Sequence, residues 1–442
     1  MAAAKGVDER VLAERDLGDR LIQLAEGGRG ARSLSEYQLS ILRDQPESRL
    51  RSLGLSIEYE FDRDRVSASL RASDRVGSAR FASSGRHLDV VVEPKVSAAD
   101  FLQMTERSGG ALRRLEGESY SFVNAGNPSR LILESVLTQI RVFLQASSYR
   151  AYHRVEENSP RPRGRLDIAQ YAQRSLPRLR NDRLPCSYFD FSADVFENRV
   201  LARTALIAGR IASNLPSHDQ HVIRKLLAEV RSNLRGVTTP PITPRELDQL
   251  RYHGRNERFE GIHQSCRLIL DNVTVSLTPG RQVGFSSFAI HMGHLFERYV
   301  LRLIRHSFGP AAKSKADLAF PLGRRDAGVE LDGLLDLGGH RTVIECKYKI
   351  IEDGTGFLEE LLNQPDMYQA IAYSRHRSVD ADSAILVYPT IRDKDAQAVA
   401  EVGRIDDFGR SPTDPIGLRI VMVNLSSPAR RVAAGLANVL RS

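Results

Sequence analysis

The segment HRTVIECKYKI, residues 340–350, carries charged side chains at alternating positions toward its end. Glu345, Lys347 and Lys349 would share one face of a strand, because side chains alternate between the two faces. A carboxylate beside an ammonium group can be a solvated ion pair. It can also bind a divalent cation and a negatively charged oxygen side by side. That second kind of chemistry needs another carboxylate close to Glu345.

The residues before this strand predict a hairpin that supplies such a carboxylate. Two strand-like runs flank the glycines at 338–339, and Gly-Gly accepts the positive φ angles of a tight turn. If Leu337 pairs with His340, pairing outward places Asp332 opposite Glu345, with their Cβ atoms roughly 5 Å apart. Facing carboxylates destabilise a sheet, and a divalent cation would offset their repulsion. The hairpin therefore predicts a metal site.

This cluster suits the hydrolysis of a phosphodiester. Asp332 and Glu345 are the expected ligands of Mg²⁺, with Mn²⁺ as an alternative and the Cys346 carbonyl as a further candidate ligand. The cation would polarise a phosphoryl oxygen and lower the pKa of a water molecule. Lys347 would steady the attacking hydroxide or the developing negative charge. The Cys346 side chain points to the other face, where we expect it in the core.

The same residues are also compatible with a purely structural role, without catalysis. The hairpin would then lie on the surface with scattered charges, and a bulge would separate the two carboxylates. Asp336 faces Arg341 in the same register, which a cross-strand ion pair explains without chemistry. Asp326 and Glu330 also precede the strand and would replace Asp332 if the register were different.

The spacing of Asp332, Glu345 and Lys347 resembles the PD-(D/E)xK nuclease motif, with Leu331 where that motif often has proline. The resemblance implies an α/β domain with a mixed sheet, and it implies that these three residues are catalytic.

Two helices add to the resemblance. Glu297, in HLFERYV, resembles the acidic residue on the helix before the catalytic strands. Gln369 and Tyr373, in PDMYQAIAY, resemble the Gln-x-x-x-Tyr element of the helix after them, and a spacing of four puts both on one helical face. A catalytic role and an ordinary position on a helix surface are both open for these residues.

Seven short motifs follow the order of the McrC family, the nuclease subunits of modification-dependent McrBC restriction systems: VVVEPKV, PRPRGRLDI, FENRVLARTAL, HMGHLFERYV, LDGLLDL, IECKYK and DMYQAIAY. The resemblance runs from about residue 85 to the C-terminus. It implies an endonuclease that cleaves modified double-stranded DNA together with an McrB-like AAA+ ring, which hydrolyses GTP. The N-terminal part would dock into that ring and stimulate hydrolysis. Because the sequence has no Gly-x-x-x-x-Gly-Lys-Ser/Thr loop, the NTPase would be another chain.

The surrounding sequence predicts an α/β protein in three parts. Residues 1–130 form an N-terminal α+β module for partner docking. Residues 131–285 form a mainly helical region with an Arg-rich connector, and 286–442 form the nuclease domain, whose mixed sheet is flanked by helices. The segment SFAIHMGHLFERYVLRLIRHSF is predicted to be one amphipathic helix.

Basic residues outside the cluster are candidates for DNA contact. Arg161, Arg163 and Arg165 lie in the connector, and guanidinium groups suit phosphates. A surface segment that binds acidic neighbours or a partner subunit explains them equally well. Lys349 follows the cluster on the same face and is either solvated or directed toward DNA.

The composition is that of a globular protein of the cytoplasm. The chain has 442 residues, a net charge of +8 and three widely separated cysteines, which exclude a disulfide framework. The sequence has no apolar run of membrane-span length, and its first residues do not resemble a signal peptide. Two other functions stay open: a non-cleaving adaptor that activates an NTPase ring, and a nuclease that works without one.

Overall fold

The computed structural model describes residues 20–28, 31–62, 65–108, 127–146, 149–175, 177, 182–276, 284–314, 331–350, 365–376, 379–406 and 416–442. The described residues of 1–135 and 271–442 form one compact unit, and those of 136–270 form a second. The first and the last of the three predicted parts thus fall in one unit, and the division into three domains stays a prediction. Among the described residues, no helix is long and apolar enough to cross a bilayer.

The N-terminal part of the first unit is built on antiparallel hairpins. Its strands are β1 (Leu21–Ala25), β2 (Arg32–Ser33), β3 (Leu55–Asp62), β4 (Arg65–Ala72), β5 (Arg75–Ser83) and β6 (Arg86–Glu93), and its helices are α1 (Glu36–Arg43), α2 (Glu47–Ser52) and α3 (Ala98–Ser108). β3 and β4 pair antiparallel from Leu55 opposite Ala72 to Asp62 opposite Arg65. β6 ends at Glu93, directly before Pro94, because proline cannot donate to a sheet.

The second unit combines helices with a small sheet. Its helices are α4 (Pro128–Ala146), which begins before the unit boundary, α5 (Phe196–Ala212), α6 (Ser217–Asn233), α7 (Pro244–Gln249) and α8 (Phe259–Leu270), and its strands are β7 (Ala151–Ser159), β8 (Arg165–Leu166) and β9 (Leu184–Ser192). The helices confirm the predicted helical pattern. The connector, in contrast, carries a three-stranded sheet in the order β7-β9-β8. The alternating residues of AYHRVEENS and LPCSYFDFS form its long antiparallel ladder.

The C-terminal part of the first unit contains a mixed sheet, as predicted for the α/β fold class. Its elements are β10 (Val273–Ser276), β11 (Gly284–His291), α9 (Met292–Phe308), β12 (Ala312–Ser314), β13 (Gly333–Leu337), β14 (His340–Cys346), α10 (Pro365–Ser374), β15 (Ser383–Thr390), β16 (Val399–Ile405), β17 (Gly417–Asn424) and α11 (Ala429–Arg441). The sheet order is β12-β13-β14-β15-β17-β16, with β14, β15 and β17 parallel. Every residue of β15 is buried, which is typical of a central parallel strand covered on both faces.

Helices cover both faces of this sheet. Met367 and Ala370 of α10 pack with Val343 and Leu386 in one core cluster. On the opposite face, Gly333 leaves room for Leu301 of α9, since a Cβ atom at 333 would lie 2.5 Å from its side chain. Side chains at the end of β14 can therefore meet residues from both α10 and α9.

One predicted helix is shorter than expected. The residues SFAIH belong to β11, which pairs antiparallel with β5, and α9 begins only at Met292. His291 ends the strand and caps the helix, because its Nδ1 accepts a hydrogen bond from the His294 amide at 3.3 Å. Strand pairing thus outweighs the local helical pattern, and β11 joins the N-terminal five-stranded sheet in the order β1-β6-β5-β11-β10.

Candidate metal centre and active site

The hairpin β13–β14 has the predicted register. Leu337 pairs with His340, and the pairing continues to Gly333 opposite Ile344. Gly338 and Gly339 have φ angles of 66° and 97°, the left-handed conformation that a tight hairpin turn requires. Because the register has no bulge, the residue before Gly333 comes to the level of the residue after Ile344.

Asp332 and Glu345 therefore meet at the end of the hairpin. The Asp332 Oδ2 atom accepts a hydrogen bond of 2.8 Å from the Cys346 amide. The Glu345 side chain is buried, and burial together with the negative charge of Asp332 raises its pKa to about 7. The sheet holds two acidic groups close together in a place where neither is well solvated.

Lys347 links this acidic pair to α10. Its Nζ atom donates to Glu345 Oε1 at 2.7 Å and to Gln369 Oε1 at 2.8 Å. Gln369 Nε2 donates in turn to Tyr373 Oη at 2.7 Å. Burial acts to lower the pKa of Lys347, but the hydrogen bond to Glu345 and the nearby carboxylates raise it above its usual value. The ammonium group is therefore charged and held in one orientation.

The donor set fits a divalent cation. Within the described residues the buried Glu345 Oε2 atom has no hydrogen-bond partner, so it has an unsatisfied lone pair of the kind that a hard cation binds. Asp332 and Glu345 are the residues that would hold the ion. No group of three or more His, Cys, Asp and Glu side chains in the described ranges has a metal-binding arrangement. Further ligands would then be main-chain carbonyls, such as that of Cys346, and water.

The Cys346 side chain is buried, as expected. Burial raises the pKa of its thiol well above the usual value, with a further contribution from Asp332 and Glu297. A thiol in this environment stays protonated and unreactive. Of the residues in this segment, Cys346 contributes its main chain to the site, and Lys347 contributes its side chain.

The cluster lies in an open cleft of about 380 Å³. Glu297 lines it from α9, and the half-exposed Lys349 lines it from beyond β14. Lys349 is paired with Asp366 at 2.5 Å, and Tyr388 Oη also donates to Asp366 at 3.1 Å. The structure thus brings together all six predicted catalytic residues and Lys349 in one unit.

Several residues of the cleft, and Asp366, which pairs with Lys349 of the cleft, were not predicted from the sequence. Asp366 stands three positions before Gln369 in PDMYQ, and its place in the first turn of α10 was the available signal. Asp74, His291 and His294 also line the cleft, and the two imidazole rings stack at 4.3 Å between centroids. The sequence gives no motif for this group, because Asp74 lies more than two hundred residues away from the histidines.

Comparison with known proteins identifies the family. The sequence model described as "McrBC 5-methylcytosine restriction system component" matches residues 70–389, more than half of the chain. The chain belongs to this family. The match confirms the resemblance drawn from the short motifs, and it includes all of the predicted site residues.

Solved structures and curated proteins were compared as well. A Thermococcus gammatolerans structure of McrB AAA+ hexamers with bound McrC matches with 17% identity and a TM-score of 0.47, over 95% of this chain and 100% of that one. A cryo-EM structure of the McrBC complex from the same organism matches with 18% identity and a TM-score of 0.39, over 65% and 88% of the respective chains. The search of curated proteins found no match.

The remaining predicted residues lie elsewhere. Arg165 lies in β8 of the second unit, and Arg161 and Arg163 lie in the loop that joins β7 to β8. Arg163 donates to Tyr188 Oη at 2.9 Å, and its guanidinium lies over that ring. Arg165 pairs in register with Ser187 and is exposed. Their contact with DNA stays a prediction.

The alternatives to Asp332 have separate outcomes. Asp336 pairs with Arg341 at 3.4 Å, which confirms the predicted cross-strand ion pair near the turn. Asp326 and Glu330 lie outside the described residues.

Proposed function

We propose that the chain is the metal-dependent DNA endonuclease subunit of an McrBC-type restriction system, with a PD-(D/E)xK active site. The observation that carries the proposal is the convergence of Asp332, Glu345 and Lys347 at the end of one hairpin, in an open cleft. Family membership supplies the restriction system, and the site supplies the reaction class.

Each residue of the site has a distinct role in this proposal. Asp332 and Glu345 hold Mg²⁺ or Mn²⁺, with the Cys346 carbonyl as a further ligand. The cation supplies Lewis-acid activation of the phosphodiester and lowers the pKa of a water molecule. Lys347 presents its ammonium group beside the carboxylates, where it stabilises negative charge that develops during the reaction. Its position is fixed by Gln369.

Residues of the two flanking helices complete the proposed site. Tyr373 orients Gln369 through the hydrogen bond between their side chains, so the two act on Lys347 as a unit. Glu297 of α9, on the opposite side of the sheet, adds a carboxylate to the cleft. In this proposal it binds a water molecule or the cation. Lys349 extends the positive charge along the cleft and contacts the DNA backbone.

The partner in this proposal is an McrB-like AAA+ ring that hydrolyses GTP. Supporting it are the family match and the absence of a phosphate-binding Gly-x-x-x-x-Gly-Lys-Ser/Thr loop from the sequence. The chain would stimulate hydrolysis by the ring, and hydrolysis would be coupled to cleavage of modified double-stranded DNA. The net charge of +8 favours association with this polyanion.

The test compares two aspartates of the same hairpin segment, one directly before β13 and one within it. Asp332→Asn removes a cation ligand, whereas Asp336→Asn alters the ion pair with Arg341 and the turn hydrogen bond from the Gly339 amide, both away from the cation site. Both purified variants are mixed with the partner ring, GTP, Mg²⁺ and DNA that contains 5-methylcytosine. We expect Asp332→Asn to abolish cleavage while partner binding and GTP hydrolysis persist, and Asp336→Asn to cleave like the wild type. Normal cleavage by Asp332→Asn would refute the assignment of the site.

The wild-type protein distinguishes the other functions in the same assay. Stimulated GTP hydrolysis without DNA scission would identify an adaptor. Cleavage without the ring or nucleotide would identify an independent nuclease.

A further inference from the structure

Two acidic residues that flank strands of the N-terminal five-stranded sheet contact the elements that carry the candidate site. The first is Glu26, which directly follows β1 and is 1% exposed. Its Oε1 atom accepts a hydrogen bond of 2.9 Å from Tyr348 Oη. Tyr348 comes directly after Lys347 and points away from it, so Glu26 holds the segment that presents the ammonium group.

The second residue is Asp74, which stands between β4 and β5. Its Oδ2 atom lies 2.7 Å from His291 Nε2, and its carbonyl accepts a hydrogen bond of 2.9 Å from the Met292 amide. Because His291 Nδ1 accepts from the His294 amide, Nε2 carries the proton that is donated to Asp74. Asp74 therefore fixes the start of α9, the helix that carries Glu297.

The two contacts are connected through one turn. The Gly27 amide donates to the Ser73 carbonyl at 2.6 Å, so the residue after Glu26 is bound to the residue before Asp74. Gly27 has a φ of 75°, a left-handed backbone conformation that favours glycine at this position.

The two elements that are held also touch one another. The Phe296 ring lies 6.0 Å from the Tyr348 ring between centroids, and Phe296 directly precedes Glu297. A displacement of α9 would therefore also displace the segment that contains Tyr348, and the reverse.

Packing alone gives no reason for a carboxyl group at position 26. A buried carboxyl group is costly, whereas an apolar side chain of similar size would fill the same space at no such cost. Burial raises the pKa of Glu26 to about 7, so the cost is not removed by its hydrogen bonds. What the carboxyl group adds is a directional acceptor for Tyr348 and for the Lys95 main-chain amide.

We propose that Glu26 and Asp74 are positioning residues, through which the N-terminal sheet sets the geometry of the candidate active site. Glu26 positions Lys347 through Tyr348, and Asp74 positions Glu297 through His291. The inference rests on the proposed function, and it extends the working site beyond the C-terminal sheet. Glu26 also lies outside the residues that the family model matches.

The first experiment removes the contact at its active-site end. Tyr348→Phe deletes the hydroxyl that Glu26 binds, and Tyr37→Phe is the matched control because Tyr37 Oη donates to the His87 carbonyl elsewhere in this part of the unit. In the cleavage assay with ring, GTP and Mg²⁺, we expect Tyr348→Phe to lower kcat about 10-fold and leave KM within about 2-fold, as removal of an orienting group does. Tyr37→Phe keeps the wild-type kcat. An unchanged kcat in Tyr348→Phe overturns the proposal.

A rescue distinguishes positioning from packing. Glu26→Leu fills the site but removes the acceptor, and Glu26→Gln keeps an oxygen that Tyr348 can bind. We expect Glu26→Leu to reproduce the loss in kcat and Glu26→Gln to restore most of it. Equal kcat values for the two variants would show that the side chain at position 26 only fills space, and that its hydrogen bond with Tyr348 does not affect the rate.

Amide hydrogen exchange separates failure of this inference from failure of the proposed function. It measures the exchange rates of the amides in peptides around 292–298 and 345–350, whether or not the protein cleaves DNA. We expect faster exchange around 345–350 in Tyr348→Phe and around 292–298 in Asp74→Ala. Asp89→Ala, which breaks the Arg80–Asp89 pair of the same sheet, should alter neither peptide. Wild-type exchange in both test variants refutes the positioning role even if no cleavage is found at all.

Discussion

Two ion pairs lie on the same face of one hairpin and behave in opposite ways. Near the turn, Asp336 and Arg341 are partly exposed, and a hydrogen bond from a turn amide, followed by the Arg341 side chain, lowers the pKa of Asp336. At the other end, Glu345 is buried beside Lys347, and burial with the charge of Asp332 raises its pKa to about 7. The surroundings of the first pair favour the charged form of Asp336. The second has more carboxylates than positive charges around it, and a cation would offset that excess.

The comparison shows that charge pattern alone does not mark a reactive site. Both pairs combine an acid with a base on neighbouring positions of the sheet. They differ in burial and in the number of further carboxylates, and these decide whether the charged form is favoured.

Removing the positively charged side chain should have very different effects at the two ends of the hairpin. Lys347→Met leaves Glu345 without its partner and removes the ammonium group, so we expect cleavage to fall about 100-fold or more. Arg341→Met at the turn should change the rate by less than about 2-fold, because a surface pair contributes little. Single-turnover cleavage of modified DNA measures both. Similar losses in the two variants would contradict the proposed distinction.

Adding the cation should stabilise the folded protein only if the carboxylates at the buried end of the hairpin are intact. At a concentration of 100 times its Kd, Mg²⁺ should raise the free energy of unfolding of the wild type by about 2.7 kcal/mol. Glu345→Gln should lose most of this gain, whereas Asp336→Asn should keep it. Denaturant melts with Mg²⁺ and with EDTA provide the measurement. A full Mg²⁺ response in Glu345→Gln would show that the ion binds elsewhere.

A structural ion pair of the second unit should show the opposite pH behaviour to a site that needs a cation. Asp194 binds Arg199 at 2.8 Å and accepts from the Thr238 amide at 2.9 Å, and these contacts, led by Arg199, lower its pKa from 3.8 to about 2. The folded state therefore favours the carboxylate, and the stabilisation is present above the unfolded-state pKa.

This stabilisation should disappear as the pH falls from about 4 to about 2, with a loss of about 2 kcal/mol in the wild type. Asp194→Asn, which does not titrate, should lose less stability over that range. Denaturant melts at several pH values measure the slope. Identical slopes for the two proteins would show that Asp194 has an ordinary pKa.

The smallest effect is expected at the half-exposed pair. Lys349 is bound to Asp366 but still lines the cleft. Lys349→Ala should raise KM for DNA about 3-fold and leave kcat unchanged, because one phosphate contact contributes modestly and uniformly to binding. A loss in kcat instead would place Lys349 with Lys347 in the reaction itself.

Much of the site could be predicted from its local sequence. The glycines at 338–339 determine the turn, the turn determines the register, and the register brings Asp332 to Glu345. The spacing of Gln369 and Tyr373 on one helical face also follows from the sequence. These relations involve residues close in the chain, where the periods of strand and helix are sufficient.

Other features depended on long-range pairing and could not be predicted in this way. SFAIH has a helical pattern but forms a strand, because β5 offers an edge for it to pair with. The Arg-rich connector was predicted to lie within a mainly helical region, yet β7 and β9 pair along their length. Asp194 precedes α5, and its carboxylate binds Arg199 and the Thr238 amide, which lies 44 residues further along the chain.

The sequence by itself determined which charged groups share a face of the hairpin, since alternation and a two-glycine turn need no other part of the chain. Only the tertiary structure decided that Glu345 is buried, that Lys347 is held by Gln369, and that Glu26 and Asp74 reach the same site. The reason is physical: burial and electrostatic environment arise from elements distant in the chain. Those two properties give identical residue types different chemistry.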